Sequence, residues 1–384
     1  MDYRNEVEEQ FRRRFNETPC IVRSPGRINL IGEHTDYNDG FVLPGAIDKA
    51  IYFAVTPRND NTISLVALDV NEVSQFNVES IVPTGTWQKY ILGVVDQLQK
   101  RGISVGGFNC VFGGNIPIGA GLSSSAAVEV GIGFALNTIF DFGISKSELA
   151  TIAQHAEHEF VGVKCGIMDQ YANIYGEKNS VLKIDCRSLT HTIYPMNPNV
   201  KIMLFNTGVS HNLASSEYNK RRAECTEGVK ILRRWYPQIT HLRDGTPEIL
   251  EQHRSAFDSI VYRRCLYVTE ENIRVEKACL ALKQNDLRTL GQLLYESHEG
   301  LSKKYEVSCA ELDFLVDTVR LFPEVYGGRL MGGGFGGCTI NLVNSEAVQE
   351  VSLFIEKKYE ERFSRKLTTY IVSLSDGTSV EQLA

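Results

Sequence analysis

A loop rich in glycine and serine is the first part of the chain with chemistry in it. Gly119-Ala120-Gly121-Leu122-Ser123-Ser124-Ser125 runs directly into an apolar segment, Ala126–Phe140, that reads as a buried helix. Glycine lets a backbone approach a ligand closely and take positive φ. A helix N-terminus offers unpaired N–H groups and the positive end of a dipole, and both favour an anion. Three hydroxyls add ligands for phosphate oxygens or a magnesium ion. The Gly-Lys-Ser/Thr ending of the common P-loop is absent. A serine cap behind a flexible turn would place similar residues there. Gly-x-Gly-Leu-Ser-Ser-Ser before a long apolar helix is more specific than that, and it favours phosphate binding.

A second run, Gly26-Arg27-Ile28-Asn29-Leu30-Ile31-Gly32-Glu33-His34-Thr35-Asp36-Tyr37, is too polar and glycine-broken for a simple core strand. Glu33, His34 and Asp36 gather donors and acceptors as a polyhydroxylated ligand requires. A solvated surface loop is the competing reading. Third, Glu157 sits on a helix and Asp169 opens a shorter one. Magnesium prefers oxygen ligands, which suits Glu157. The positive dipole end of a helix favours a charged Asp169, and a carboxylate can take a proton from an attacking hydroxyl. Taken singly, each also passes for an ordinary surface or helix-end charge.

These residues need elements to hold them. Residues 2–16 read as an amphipathic helix, Cys20–Arg23 as a short strand and Ser24-Pro25-Gly26 as a turn. Phe41–Leu43 and Ala50–Pro57 read as strands. Tyr90, Ile91, Val94, Val95 and Leu98 recur at helical spacing over Trp87–Arg101, with Thr86 as the cap. Gly107–Gly113 is a predicted strand. Ser145 and Glu148 form a capping-box pattern for a helix reaching about Val161. The turn Gly162–Gly166, a helix Met168–Tyr175 and a strand Val181–Asp185 follow. Polar texture and two prolines near Arg187–Val200 place a domain boundary there, giving domains 1–190 and 191–384. The second half is helix-rich, with helices predicted over Ser215–Trp235, Glu270–Gln284, Leu287–His298, Cys309–Leu321 (Ser308 and Glu311 as its capping box) and Ser345–Phe363. Its predicted strands are Val200–Asn206, Cys338–Val343 and Leu367–Val372, beside a glycine burst at Gly332–Gly337.

Composition bounds the function. The 384 residues suffice for two domains at about 100–200 residues each. Hydrophobic residues at 43% and charged residues at 23% allow a large core. A net charge of -7 argues against nucleic acid or an anionic membrane as the main partner. The charged N-terminus has no apolar signal region, and Val128–Leu136 is too short to span a bilayer. Nine scattered cysteines without a Cys-x-x-Cys pair fit free thiols in a reducing cytoplasm. His155 and His158 have the spacing of a metal pair, but a helix that happens to carry two histidines is the simpler reading.

Taken in order, the signals resemble one family. Pro25–Ile47, reading PGRINLIGEHTDYNDGFVLPGAI, looks like the galactokinase signature nearly residue for residue. PIGAGLSSSAA at Pro117–Ala127 resembles the ATP-binding motif of the wider GHMP small-molecule kinases. GIMDQ at Gly166–Gln170, DCRSL at Asp185–Leu189, SEYNKRR at Ser216–Arg222 and LMGGGFGGC at Leu330–Cys338 match as well, so the likeness covers essentially the whole chain.

The resemblance implies an α+β, two-domain GHMP kinase architecture, ribosomal-S5-like in its N-terminal half and ferredoxin-like in its C-terminal half, with the site between them. It implies phosphorylation of α-D-galactose at C1 by ATP with Mg2+; a monomer is the expected state, although the sequence itself does not give it. Asp169 falls on the family's catalytic aspartate and Arg27 on the arginine beside it. Glu33, His34, Thr35 and Asp36, with Gly166 and Tyr218, fall on the sugar pocket. Gly119, Ala120, Gly121, Leu122, Ser123, Ser124 and Ser125 fall on the phosphate loop, and Ser125 and Glu157 on the magnesium ligands. Trp87 stands where relatives carry an aromatic near adenine, and a structural tryptophan competes with that role. Arg27 would favour a charged Asp169, which leaves open early proton removal or simple orientation of the hydroxyl. Asn206-Thr207-Gly208-Val209 and Lys164 depart from the family pattern, outside these roles. The main alternative within kinases is a sister activity such as an N-acetylgalactosamine kinase or another sugar-1-kinase. A catalytically silent sugar sensor fits less well, because the loop serines, Arg27 and Asp169 are all present.

Overall fold

The computed structural model describes residues 2–83, 85–117, 119–209 and 214–383, apart from the side chains of Ala214 and Ser215. Ile118, inside the predicted phosphate-loop motif, lies outside the described residues. In chain order the elements are α1 (Tyr3–Phe15), β1 (Cys20–Asn29), β2 (Phe41–Val42), β3 (Pro44–Pro57), β4 (Thr62–Ala67), β5 (Glu72–Asn77), α2 (Gln88–Lys100), β6 (Phe108–Gly114), α3 (Ser124–Ile139), α4 (Lys146–Ala156), α5 (Met168–Tyr175), β7 (Ser180–Asp185), β8 (Thr190–Pro195) and β9 (Val200–Asn206). They continue with α6 (Ala214–Leu232), α7 (Pro247–Gln252), α8 (Ser259–Lys283), α9 (Leu287–Glu299), α10 (Ala310–Val319), β10 (Val325–Leu330), β11 (Cys338–Asn344), α11 (Val348–Phe363), β12 (Thr368–Val372) and β13 (Ser379–Gln382). The mixed helix and sheet content is the α+β class expected from the sequence.

The first sheet has the order β13-β1-β3-β6-β4-β5, and α3 packs across β1 and β3. Ala126, Ala127, Val130, Ile132, Ala135 and Leu136 bury that helix, which is why its sequence is apolar on nearly every side. A second sheet, β10-β11-β9-β12, carries the C-terminal half, and β2-β7-β8 forms a third. The last strand returns to the first sheet, where Val380 pairs with Val22 of β1.

Several expectations change. Ser24-Pro25-Gly26 is no turn but the interior of β1, which carries a register slip between Pro25 and Arg27. Proline and glycine mark a bulge here. A Cβ on Gly26 would stand 2.8 Å from the Leu122 carbonyl, so glycine is what lets the serine loop lie against the strand. The run from Arg27 to Glu33 is buried rather than solvated. Thr86 does not cap α2: the N-cap is Trp87, without a side-chain bond. Ser145 does cap α4, accepting from the Glu148 N–H. The Ser308 box does not form, because Ser308 Oγ donates instead to Asp313 at 2.5 Å. The helix predicted from Glu270 begins eleven residues earlier, at Ser259, behind an Asp258 cap.

Candidate active site

Arg27 and Asp169 form the centre of the site. Arg27 lies just past the bulge in β1 and Asp169 in the first turn of α5. The guanidinium meets the carboxylate in a fork, Nε to Oδ1 at 2.7 Å and Nη2 to Oδ2 at 2.8 Å. Its remaining arm donates to the Gly121 carbonyl at 2.6 Å, while the Arg27 N–H reaches the Leu122 carbonyl at 3.2 Å. One arginine therefore ties the serine loop to the aspartate. Burial alone would lower the basicity of Arg27, but the charge and hydrogen bonds of Asp169 raise it above the ordinary value.

The loop is shaped for a ligand. Gly119, Gly121 and Ser123 take φ of 76°, 71° and 58°. That conformation is free for glycine and strained for serine. It places Ser123 Oγ 2.5 Å from Asp169 Oδ2. Ala120 and Leu122 are buried and anchor the loop in the core. Helix α3 begins at Ser124, and the N-cap residue Ser123 makes no capping bond with its side chain. Its first N–H groups are thus available to an anion.

Beside this centre opens a cavity of about 240 Å³, small against the ~300–1,000 Å³ of drug-sized sites. Arg27, Glu33, His34, Asp36, Glu157, Gly166, Asp169 and Tyr218 all line it, so eight of the residues singled out in the sequence converge there. Val163, Cys165, Met168 and Gly332–Gly334 complete the wall. The sequence marked the glycine burst but did not assign it to the cavity.

His34 is buried and neutral. Burial holds it down to about 3, the nearby charge of Arg221 adds to this, and a hydrogen bond to the Gly333 backbone pulls the other way. Its Nδ1 pairs with the Tyr37 hydroxyl at 2.8 Å, and Tyr37 with Tyr305 at 2.7 Å. Its Nε2 makes no hydrogen bond of ordinary geometry among the described residues. Such a buried polar atom costs roughly 1–3 kcal/mol unless a ligand meets it. Asp36 is pushed up to about 7 by desolvation and by Asp169. A Cβ on Gly166 would lie 1.9 Å from Asp36 Oδ2, so only glycine leaves that carboxylate in place.

Glu157 occupies a π-helical turn, Glu157–Val161, that follows α4. Burial first, and then Asp169, push it up to about 7. Its Oε1 faces Ser125 Oγ at 3.4 Å, and its Oε2 accepts from Gln170 at 3.0 Å. Two oxygens side by side, one on a buried carboxylate without a cation in contact among the described residues, suit a hard cation. Gln170 also donates to Glu129 at 3.3 Å. Glu129 is fully buried on α3, and burial holds its carboxyl well above the ordinary range. A lone glutamate in an otherwise apolar helix was the sequence signal for it.

Two predicted residues stand apart. The Thr35 hydroxyl donates to the Gly32 and Phe41 carbonyls at 2.8 and 2.6 Å, bracing the loop rather than lining the cavity. Trp87 donates its indole N–H to Glu72 at 2.7 Å and sets its ring against Phe112. Nor do the two histidines join: His158 Nε2 meets the Cys165 carbonyl at 2.6 Å, and His155 pairs with Arg101.

The model for the galactokinase galactose-binding signature matches residues 9–57, the GHMP kinase N-terminal domain 89–177 and the GHMP kinase C-terminal domain 278–361. A galactokinase from Roseiflexus sp. (strain RS-1) is 40% identical over 97% of this chain and 96% of its own. The chain belongs to the galactokinase family. Another galactokinase, from Chloroflexus aggregans, is 42% identical over 96% of this chain and 95% of its own. The crystal structure of Lactococcus lactis galactokinase complexed with galactose superposes with a TM-score of 0.93 at 32% identity, covering 98% of this chain and 99% of that one. A Methanococcus jannaschii mevalonate kinase shares the fold at 19% identity and a TM-score of 0.63, covering 94% of this chain and 99% of its own. The two-domain GHMP kinase architecture expected from the sequence is thus the fold of this galactokinase-family chain. No helix among the described residues is long and apolar enough to cross a membrane.

Proposed function

We propose that this protein transfers the γ-phosphoryl group of ATP to the C1 hydroxyl of α-D-galactose, giving galactose 1-phosphate and ADP. The observation that carries this is the convergence of two unlike surfaces on one ion pair. Arg27–Asp169 joins a phosphate-type loop on one side to a cavity of sugar-type acceptors on the other. In this reading Glu33, His34 and Asp36 hold sugar hydroxyls, and Tyr218 covers the ring. Asp169 accepts the C1 proton as that oxygen forms its bond to the γ-phosphorus and the bond to the bridging oxygen of ADP breaks. Arg27 balances charge on the group in flight. Positioning and charge neutralisation supply the rate, since phosphoryl transfer needs little covalent help.

Ser125 and Glu157 fit Mg2+, which when bound supplies positive charge at the phosphates. Replacing Ser125 with Ala is expected to raise the Mg2+ concentration needed for half-maximal rate about tenfold, as the loss of one ligand would. KM for galactose should hardly move. A titration in which galactose KM rises and the Mg2+ requirement stays put would shift the metal to other ligands.

Both faces of the cavity come from one chain, Arg27 and Asp169 on one side and Tyr218 with Gly332–Gly334 on the other, so a monomer suffices. Nine free thiols suit a reducing cytoplasm. We place the division between the two domains near residue 190, with β13 as the strand that crosses back. The testing experiment is coupled ADP release with galactose, glucose, arabinose and N-acetylgalactosamine. The expected order has galactose first. A preference for N-acetylgalactosamine, or no sugar-dependent release, would overturn the assignment.

A further inference from the structure

We infer that Arg329 is a positioning residue for sugar binding, acting through Glu33. The inference rests on the proposed sugar role of that glutamate. Arg329 lies on β10 and is fully buried, and it is not among the residues that line the cavity. Its Nε donates to the Leu30 carbonyl at 2.8 Å and its Nη1 to the Leu330 carbonyl at 2.5 Å. Its Nη2 donates to the Asn29 carbonyl at 2.6 Å and to Glu33 Oε1 at 3.1 Å. One side chain from the second sheet thereby fixes the end of β1 and the carboxylate that follows it.

The consequence is atom-specific. Glu33 Oε1 receives a second donor, the Gly332 N–H at 2.7 Å. Oε2 has no hydrogen bond among the described residues, and Glu33 lines the cavity. Arg329 and Gly332 thus hold one carboxylate oxygen, so the other is turned towards the ligand before it arrives. Preorganisation of this kind raises affinity by removing the ordering cost of binding. Only a planar fork serves these acceptors together; a lysine ammonium at the same place reaches fewer of them. Tyr267 of α8 assists from the far side, donating to the Glu33 carbonyl at 3.0 Å.

The test compares Arg329→Lys, Tyr267→Phe, Glu33→Gln and the Arg329→Lys/Glu33→Gln pair. R329K is expected to raise galactose KM about tenfold, with ATP KM within about twofold of wild type. In the double variant the two galactose effects should fall well short of multiplying, because both act on one carboxylate. Tyr267→Phe keeps the packed ring and serves if R329K does not fold; it should raise galactose KM about threefold, again leaving ATP KM alone. Equal changes in both KM values, or full multiplication in the double variant, would make Arg329 a general structural residue and overturn the inference. An unchanged galactose KM in both R329K and Y267F would overturn it too. Failure of the sugar assignment itself reads differently, as absence of galactose-dependent turnover in the unaltered protein.

Discussion

Replacing Asp169 with Asn is expected to lower kcat between about a hundredfold and ten-thousandfold, the range by which a positioned general base usually contributes. Asparagine keeps the size of the side chain and still accepts from Arg27 through its carbonyl. It loses the negative charge and one arm of the Arg27 fork, and with them the proton acceptor that the proposed reaction assigns to Asp169. Ser123 and Gly121 keep their places, because the loop is anchored by Ala120 and Leu122 in the core as well as by Arg27. Nucleotide binding should therefore survive, measured by titration with a non-hydrolysable ATP analogue. Near-normal turnover in the variant would remove Asp169 from the chemistry. Lost nucleotide affinity would mean that the aspartate holds the loop rather than serving the reaction.

The second large effect belongs to Arg27→Met. Methionine fills much of the buried space without the charge or the fork. Three contacts disappear together: both arms to Asp169 and the arm to the Gly121 carbonyl. Asp169 then faces Asp36 and Glu157 without its cation. Turnover should fall at least about a hundredfold, since in the proposed reaction charge on the transferring group loses its stabiliser. Stability falls as well, by less than the roughly 3–5 kcal/mol of a fully buried pair, because the Asp169 side chain keeps 26% of its exposure. Thermal melting separates the two effects. A variant that melts like wild type and turns over normally would show the ion pair to be incidental.

How far this site could be read from sequence depends on how local each signal is. The serine loop was legible because its glycines, hydroxyls and following helix are contiguous. Glu33, His34 and Asp36 were legible as a cluster, although not as a buried one, because burial comes from α8 and β10 far along the chain. Arg329 was invisible: a single arginine in Val-Tyr-Gly-Gly-Arg-Leu reads as a surface charge, and its partner Glu33 is 296 positions away. β10 itself went unread because two glycines interrupt its apolar alternation. Pro25 and Gly26 read as a turn because the same residues punctuate turns and bulges alike. β13 was missed because it is short and its last residues are polar; it exists by pairing with β1. The sequence shows helix α8 only in its second half, where the apolar spacing is regular, while its start behind Asp258 carries no such pattern.

The most direct test of the central claim is the identity of the product. The unaltered protein is incubated with ATP, Mg2+ and galactose, and the phosphorylated sugar is examined by phosphorus and proton NMR. The expected result is one mole of ADP per mole of product, with the phosphorus coupled to the anomeric proton of the α-sugar. Phosphate on any other hydroxyl, or ADP release that ignores galactose, would contradict it.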